Sequence, residues 1–295
     1  MVSMQKNPNI DRCIDFVSKF SSNASTKTPA NKENSSPNAI KSKESNEQAN
    51  TVNETTLLEE ESENPFLTTL MDWLIDNLRA NSDAVRYRCC NILSKLMAAI
   101  NNEQFIDEDL YDRLCDGLLE RLKDVNSRVQ VQAITAIYRL QDPNDKDCRV
   151  IKALLFLMSF DPNWQVRYQA ISNIAFSKIT LSDIIDRVRD PSPFVRRKAI
   201  FILSEKVLIK FISIEKRLFI LNYSLKDEDA GVLETCCKKL LPSWLAHKEN
   251  DLCKFLKALD VVDATETAEL MLNSMYKESS IETITNDFVE LLNEK

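Results

Sequence analysis

The chain has 295 residues, a net charge of −7 at pH 7 and only two glycines. So few glycines leave almost no material for tight β-hairpin turns or for a glycine-rich phosphate-binding loop. The single histidine, His247, cannot supply a histidine-based triad or a multi-histidine metal site. Composition therefore favours an all-helical chain that is not an enzyme, and we expect no cofactor, no metal and no small-molecule substrate.

Cysteine content and hydropathy indicate the cellular compartment of the protein. None of the eight cysteines belongs to a C-x-x-C pair, and most lie at apolar helical positions, where a free thiol behaves as a small hydrophobic group. We therefore expect reduced cysteines, in the cytosol or the nucleus. The sequence shows no secretory signal and no apolar run of membrane-spanning length, so we expect no membrane partner.

The N-terminal part divides into two segments. Residues 1–20 contain the short amphipathic sequence IDRCIDFVSKF, whose apolar residues recur at helical spacing. Residues 21–64 consist mainly of Ser, Thr, Asn, Lys and Glu, and they bury too little apolar surface to repay the entropy of ordering. The sequence therefore predicts a short helix followed by a disordered polar and acidic tract.

Residues 65–295 carry an internal repeat, in which a turn followed by a valine opens an apolar helical stripe five times. The five valines are Val85, Val129, Val166, Val195 and Val232. Their intervals of 44, 37, 29 and 37 residues fit two-helix HEAT units better than tetratricopeptide or ankyrin repeats, whose periods are stricter. The sequence thus predicts a HEAT-type α-solenoid of ARM-like helical repeats, with about five to six helix pairs.

Charged residues recur around the valines. An aspartate stands five residues before each of the last four valines, and an arginine directly follows three of the five. These residues are Asp124, Asp161, Asp190, Asp227, Arg86, Arg167 and Arg196. Because a guanidinium binds a carboxylate through two parallel hydrogen bonds, we expect an inter-repeat ladder rather than a ligand site. Gln130 and Leu233 replace the arginine in the second and fifth repeats, where the ladder should be incomplete.

The middle of the array is locally basic although the chain is acidic. Basic residues outnumber acidic ones between Asp186 and Arg217, and Arg88 and Lys95 share a face of an earlier helix, since seven residues make about two turns. Such a flank suits contacts with phosphate groups that carry no sequence information. The candidate nucleic-acid contacts are Arg88, Lys95, Arg197, Lys198, Lys206 and Lys210. A solvated, salt-bridged face is the alternative interpretation.

Three stretches are more specific than a generic repeat. They read, in order, NSDAVRYRCCNILSKLM, LYDRLCDGLLERLKDVNSRVQVQAITAIYRLQDPND and KDEDAGVLETCCKKLLPSWL. Together they resemble the N-terminal HEAT region of condensin subunit 3, the CAP-G family, and the fragments AVRYR, RLKD and RLQDP carry the resemblance. The sequence IDRCIDFVSKF is similar to the helix that precedes the acidic insertion of that family. The resemblance covers most of the part predicted to be ordered, and a minor part of a full family member.

The resemblance implies a function. Members of the family are non-catalytic HEAT-repeat regulatory subunits of condensin, which engage the kleisin subunit, the SMC ATPases and double-stranded DNA in mitotic chromosome condensation. The implied location is the nucleus and mitotic chromosomes, and a cytoplasmic pool is compatible with it. The alternative function is a HEAT-repeat protein-binding adaptor without DNA contact, such as a transport or phosphatase scaffold, which would present an acidic or apolar groove.

The polar tract contains short matches to regulatory motifs. Lys32, Glu33 and Asn34 spell KEN, which resembles the degron read by the anaphase-promoting complex. Thr28 and Ser36 each precede a proline, as in minimal sites for proline-directed kinases. A disordered segment is accessible to both kinds of enzyme, and a phosphate there adds charge without disturbing a core. A tract of this composition also produces such matches by chance, so both interpretations stay open.

Overall fold

The computed structural model describes residues 12, 14–19, 65–100, 107–261, 263–276 and 289. Within these ranges every regular element is a helix, which confirms the all-α class. The predicted disordered tract, residues 21–64, lies outside the described residues. So do the candidate regulatory residues Thr28, Lys32, Glu33, Asn34 and Ser36.

Consecutive helices form five pairs. They are α1 (Pro65–Asn77) with α2 (Asp83–Ala99), α3 (Glu108–Arg121) with α4 (Ser127–Ile137), α5 (Arg149–Phe160) with α6 (Trp164–Asn173), α7 (Leu181–Asp186) with α8 (Pro193–Lys206), and α9 (Ile214–Leu225) with α10 (Ala230–Thr235). A π-helical turn (Cys236–Leu240) leads on to α11 (Leu241–Ala246), α12 (Leu252–Lys257) and α13 (Thr265–Tyr276). Short 3-10 turns lie at Tyr138–Leu140, Arg187–Arg189 and Ile209–Phe211.

The helices lie in two layers. Each second helix packs against the second helix of the next pair, from α2 through α4, α6 and α8 to α10, while α1, α3 and α5 pack in the other layer. Apolar side chains between the layers form one continuous core. Helix α13 packs against α9 and so takes the place of the first helix of a sixth pair. This arrangement confirms the HEAT-type solenoid.

Four of the five repeated valines are buried in the core. Val129, Val166, Val195 and Val232 are fully buried, whereas Val85, in the first described helix pair, is 39% exposed. The valine is therefore a packing position in four successive pairs, which explains why it recurs in the sequence.

The turn before each second helix from α4 onward is built from an aspartate and a polar residue two positions later. In the third pair, the Asp161 carboxylate accepts the backbone N–H of Asn163 at 2.8 Å. The Asn163 side chain in turn accepts the backbone N–H of Gln165 at 2.8 Å and caps helix α6. The same two bonds recur at Asp124 and Asn126. Local hydrogen bonding thus fixes where each of these second helices begins.

Three arginines link these turns between repeats. They bind the aspartate of the next turn through two hydrogen bonds of 2.6–2.9 Å each, in the pairs Arg86–Asp124, Arg167–Asp190 and Arg196–Asp227. Each guanidinium also donates to two carbonyl oxygens of its own turn. The three carboxylates are only 2%, 0% and 5% exposed, so each pair is shielded from water. Each arginine thus joins its own turn to the next one.

The pairing also shifts the acidity of Asp124. Burial by itself raises the pKa of this carboxyl group, but hydrogen bonds from Arg86 and from the N–H of Asn126 outweigh burial and hold the pKa below its ordinary value. A lowered pKa in the folded state means that the contribution to stability is complete above the ordinary aspartate pKa. It is lost as the pH falls through the lower, folded-state pKa.

The second and fifth repeats lack this arginine link. Gln130 donates to the Leu122 carbonyl at 3.0 Å but reaches the Asp161 carboxylate only at 3.4 Å. Leu233, at the equivalent position of α10, packs against the core instead. A neutral amide with one long hydrogen bond is weaker than a bidentate ion pair. Among the four contacts at this position that join the five pairs, the one between the second and third pairs is therefore the weakest.

The π-helical turn follows from a proline. In an α-helix, the ring of Pro242 would clash with the carbonyl group of Lys238, and proline has no N–H to donate to it. The chain widens instead, and the N–H of Leu241 donates to the carbonyl of Cys236, five residues earlier. Cys236 and Leu240 stay buried while Lys238 and Lys239 are exposed. The widened turn therefore presents two adjacent lysines to solvent.

The weak link gives a direct test. Gln130→Arg is expected to raise the free energy of unfolding by about 1 kcal/mol, because two charge-assisted hydrogen bonds replace one long amide contact. Gln130→Leu, which copies Leu233, is the matched control and should lower stability, because it removes both hydrogen bonds of Gln130. Urea denaturation followed by circular dichroism measures both. If Gln130→Arg is no more stable than Gln130→Leu, the link adds nothing to the stability of the array.

Candidate binding groove of the second helices

The second helices α2, α4, α6, α8 and α10 lie side by side and share one exposed face, here called the second-helix groove. The position three residues after each of the last four repeated valines lines a pocket of this groove and carries, in order, Gln132, Gln169, Lys198 and Thr235. The equivalent residue on α2 is Arg88. The Gln132 side chain accepts a hydrogen bond from Asn91, and Gln169 donates to Thr135 at 2.8 Å. The groove is thus lined by side chains from equivalent positions of successive repeats.

Two adjoining pockets lie in the groove, and Tyr168 and Phe194 belong to both. The amide pocket, of about 490 Å³, is lined by Tyr87, Arg128, Val131, Gln132, Trp164, Gln165, Tyr168, Gln169 and Phe194. The basic pocket, of about 470 Å³, is lined by Tyr168, Phe194, Arg197, Lys198, Phe201, Glu234, Thr235, Lys238 and Lys239. Both volumes suit side chains or a small ligand.

Aromatic rings form the base of both pockets. Trp164 stacks on Phe194 with ring centroids 4.7 Å apart and planes inclined by 23°. The Lys198 ammonium lies 5.9 Å from the Tyr168 ring centroid and 5.5 Å from that of Phe201. Cation–π attraction therefore holds Lys198 over the aromatic floor. Sequence reasoning missed these rings, although Trp164 and Phe194 stand two residues and one residue before a repeated valine.

Positive charge dominates the basic pocket. Arg197, Lys238 and Lys239 are exposed, and one carboxylate, Glu234, accepts a hydrogen bond from Lys238 at 2.9 Å. That hydrogen bond, with the positive charges of Lys238 and Arg197, lowers the pKa of Glu234. A methyl group on Gly231 would lie 3.2 Å from the Arg197 guanidinium, so the absent side chain leaves room for this arginine. The pocket is therefore arranged for an anionic partner.

The structure separates the candidate nucleic-acid contacts into three places. Arg197 and Lys198 line the basic pocket. Lys206 ends helix α8, and Lys210 lies in the following 3-10 turn with its ammonium 5.2 Å from the Phe211 ring centroid. Both of these lysines are exposed. The predicted basic flank is thus a pocket at one end of α8 and two exposed lysines at the other.

The other two candidates lie on α2 and are engaged within the chain. The Lys95 ammonium lies 2.6 Å from the Asp15 carboxylate of the N-terminal segment, residues 14–19, in which Ile14 is buried. The Arg88 guanidinium lies 5.7 Å from the Tyr87 ring centroid. Both side chains are half-buried. The N-terminal segment therefore docks on α2 beside the start of the groove.

Several arginines of the basic cluster between Asp186 and Arg217 stabilise the fold. Arg217 donates to the carbonyls of Ile209 and Ala258 at 3.1 and 2.6 Å, and burial lowers its pKa. Arg187 donates to the carbonyls of Met158 and Ser159 at 3.2 and 3.3 Å. Arg196 belongs to the inter-repeat links. These arginines hold the fold together, so the exposed basic surface is smaller than the sequence suggested.

Most of the cysteines in the described ranges are buried. Burial raises the pKa of Cys89 to about 11 and that of Cys90 to about 12, which keeps both thiols protonated at neutral pH. The cysteines of the described part form no disulfide. His247 is exposed, and no group of three or more His, Cys, Asp or Glu side chains within those ranges is placed to hold a metal ion. None of the described helices combines the length and hydropathy needed to cross a bilayer.

Substituting Arg217 and Arg197 tests whether the partly buried arginines stabilise the fold while the exposed ones do not. Arg217→Ala is expected to lower the free energy of unfolding by about 1–3 kcal/mol, because two partly buried carbonyl groups lose their donor. The control, Arg197→Ala, removes an exposed side chain and should change stability by no more than about 0.5 kcal/mol. Thermal and urea unfolding give both values. Equal effects of the two substitutions would contradict this distinction.

A protein-family model covers most of the repeat region. Residues 9–216, more than half of the chain, match the model described as sister chromatid cohesion protein PDS5. The matched range runs from the N-terminal segment to the start of α9 and contains the first four helix pairs.

Individual relatives give a more specific match. The chain is 32% identical over 281 residues to condensin complex subunit 3 of Xenopus laevis, covering 95% of this chain and 25% of that protein. It is 37% identical over 218 residues to condensin complex subunit 3 of Homo sapiens, covering 74% of this chain and 22% of that protein. The chain thus spans about a quarter of the length of these relatives.

A solved structure supports the similarity to condensin complex subunit 3. The fold matches a chain in the crystal structure of the S. pombe condensin Cnd3–Cnd2 subcomplex with a TM-score of 0.73 and 27% sequence identity. The match covers 94% of this chain and 31% of the other. Sequence and fold therefore place this chain in the condensin complex subunit 3 family, and it also belongs to the family that the PDS5 model describes.

Proposed function

We propose that this chain is a non-catalytic HEAT-repeat regulatory subunit of condensin, which contributes to kleisin and DNA engagement in mitotic chromosome condensation. The observation that carries the proposal is the fold match to the Cnd3–Cnd2 subcomplex over 94% of the chain. Sequence identity of 32–37% with condensin complex subunit 3 of two vertebrates supports it.

The proposed partners are the other condensin subunits. The S. pombe relative was solved together with Cnd2, and we propose that this chain binds the kleisin subunit and, through it, the SMC ATPases. Assembly with these subunits would place the chain in the nucleus and on mitotic chromosomes, and a cytoplasmic pool before assembly is compatible with this. Successive helix pairs give a long surface, which suits an extended partner.

The proposed DNA contact uses exposed cations around α8. Arg197, Lys206 and Lys210 are exposed and Lys198 is half-buried, so all four reach solvent from one helix and the turn after it. None of the four forms an ion pair within the described residues. Lysine and arginine side chains in such positions bind phosphate groups whatever the base sequence. Contacts of Arg88 and Lys95 with DNA would require them to leave Tyr87 and Asp15.

Affinity capture from mitotic cells tests the condensin assignment. The tagged chain is expected to bring down the SMC and kleisin subunits, because the fold match extends over nearly the whole chain. Mass spectrometry of the captured proteins provides the measurement. Recovery of transport or phosphatase subunits without any SMC protein would instead establish the adaptor function.

Charge reversal tests the DNA contact. Changing Arg197, Lys198, Lys206 and Lys210 to Glu should weaken duplex binding to the same extent for unrelated sequences and flatten its salt dependence, by about 0.9 in the log–log slope for each phosphate that is no longer neutralised. The matched control reverses Lys123, Lys146, Lys178 and Lys248. Like the test residues, three of these lysines are exposed and one is half-buried, and none forms an ion pair within the described residues. Gel shifts over a range of salt concentrations give the slopes. Equal effects of the two variants would remove this surface from the proposal.

A further inference from the structure

The two pockets of the second-helix groove have features that a DNA duplex does not use. The rings of Trp164 and Phe194 are 38% and 56% exposed, although they lie beside valines that are fully buried. A duplex presents phosphates at its surface and keeps its bases stacked inside. It would therefore reach the cations of the basic pocket and leave the aromatic floor uncovered.

The aromatic faces are also poorly available to unpaired bases. Trp164 and Phe194 already stack on each other, and the Lys198 ammonium lies over the rings of Tyr168 and Phe201. Single-stranded nucleic acid binds by stacking its bases on open aromatic faces. The ring edges and the gaps between the rings remain, and these accept aliphatic or aromatic side chains.

Charge and hydrogen-bonding groups indicate a peptide. Four cations and one carboxylate line the basic pocket, so its occupant carries negative charge. In the amide pocket, Gln132, Gln165 and Gln169 bring carboxamide groups, which both donate and accept hydrogen bonds as a peptide backbone requires. The two pockets adjoin, so a single extended segment can enter both.

We propose that the second-helix groove binds an extended acidic peptide segment of a partner protein. One apolar side chain enters the amide pocket, a second enters the basic pocket, and acidic residues flank the second and meet Arg197 and Lys239. Packed helices lie about 8–10 Å apart. A peptide in the polyproline II form has three residues per turn and advances about 3.1 Å per residue, so two apolar side chains three residues apart point the same way and stand about 9 Å apart. This proposal goes beyond the condensin assignment and does not depend on it. The segment and a duplex would compete for Arg197 and Lys198.

A labelled peptide tests the proposal on the full chain. The probe is a short peptide of Glu and Ser with two Leu residues about three positions apart, and fluorescence anisotropy measures its binding. Phe194→Ala and Trp164→Ala should each weaken binding by about tenfold, because buried aromatic anchors dominate such interfaces. The matched control is Phe156→Ala, since Phe156 is 63% exposed on α5 in the other layer, and it should bind like the parent. Circular dichroism verifies that each variant is folded, and Phe194→Leu serves as a milder variant.

Other outcomes would overturn the proposal. These are the absence of saturable binding, equal binding of a peptide with Lys in place of Glu, and equal binding of one with its two Leu residues adjacent. A decrease of duplex or oligo-dT binding in Phe194→Ala equal to the decrease of peptide binding would assign the pockets to nucleic acid. Duplex binding through Lys206 and Lys210, and capture of SMC subunits, are measured separately. The peptide proposal and the condensin proposal can therefore fail independently.

Discussion

The bidentate contact between an arginine of one helix pair and the aspartate of the next turn sets the geometry of the array. In each such link the guanidinium uses two donors on the carboxylate and donates to two carbonyls of its own turn, as Arg167 does toward Asp190. The cost of removing two charges from water offsets most of the attraction between them, so the net gain in stability is small. The apolar core supplies the stability, and the link fixes how one pair sits on the next.

Features that repeat along the chain could be predicted from the sequence. The valine spacing predicted the helix pairs because the valine is a packing position in four successive pairs, and a recurrent packing position leaves a period in the sequence. The aspartates and arginines occupy equivalent positions for the same reason. Gln130 and Leu233 mark the departures, because a residue that breaks a period is as visible as one that keeps it.

Features that depend on a single tertiary contact could not be predicted. Arg217 and Arg187 appear in the sequence as part of a basic cluster, but they bind carbonyl groups 41 and 28–29 residues away along the chain. The sequence does not show that the aromatic rings beside the buried valines face the groove, because a neighbouring position on a helix can point inward or outward. It also does not show that the helix accommodates Pro242 through a π-helical turn, since a proline can equally end or kink a helix.

Because the inter-repeat links differ in strength, we expect the solenoid to bend more easily at some joints than at others. A stack of units bends more easily where the link between two units is weaker, and the weakest arginine-position link lies between the second and third pairs, where Gln130 replaces an arginine. The amide pocket spans the same joint, with Gln132 on one side and Trp164 on the other. Curvature of the whole superhelix therefore changes the width of this pocket. By thermodynamic reciprocity, a partner that binds in the pocket and favours one pocket width also favours the matching curvature of the solenoid. A local contact is in this way coupled to the shape of the whole array.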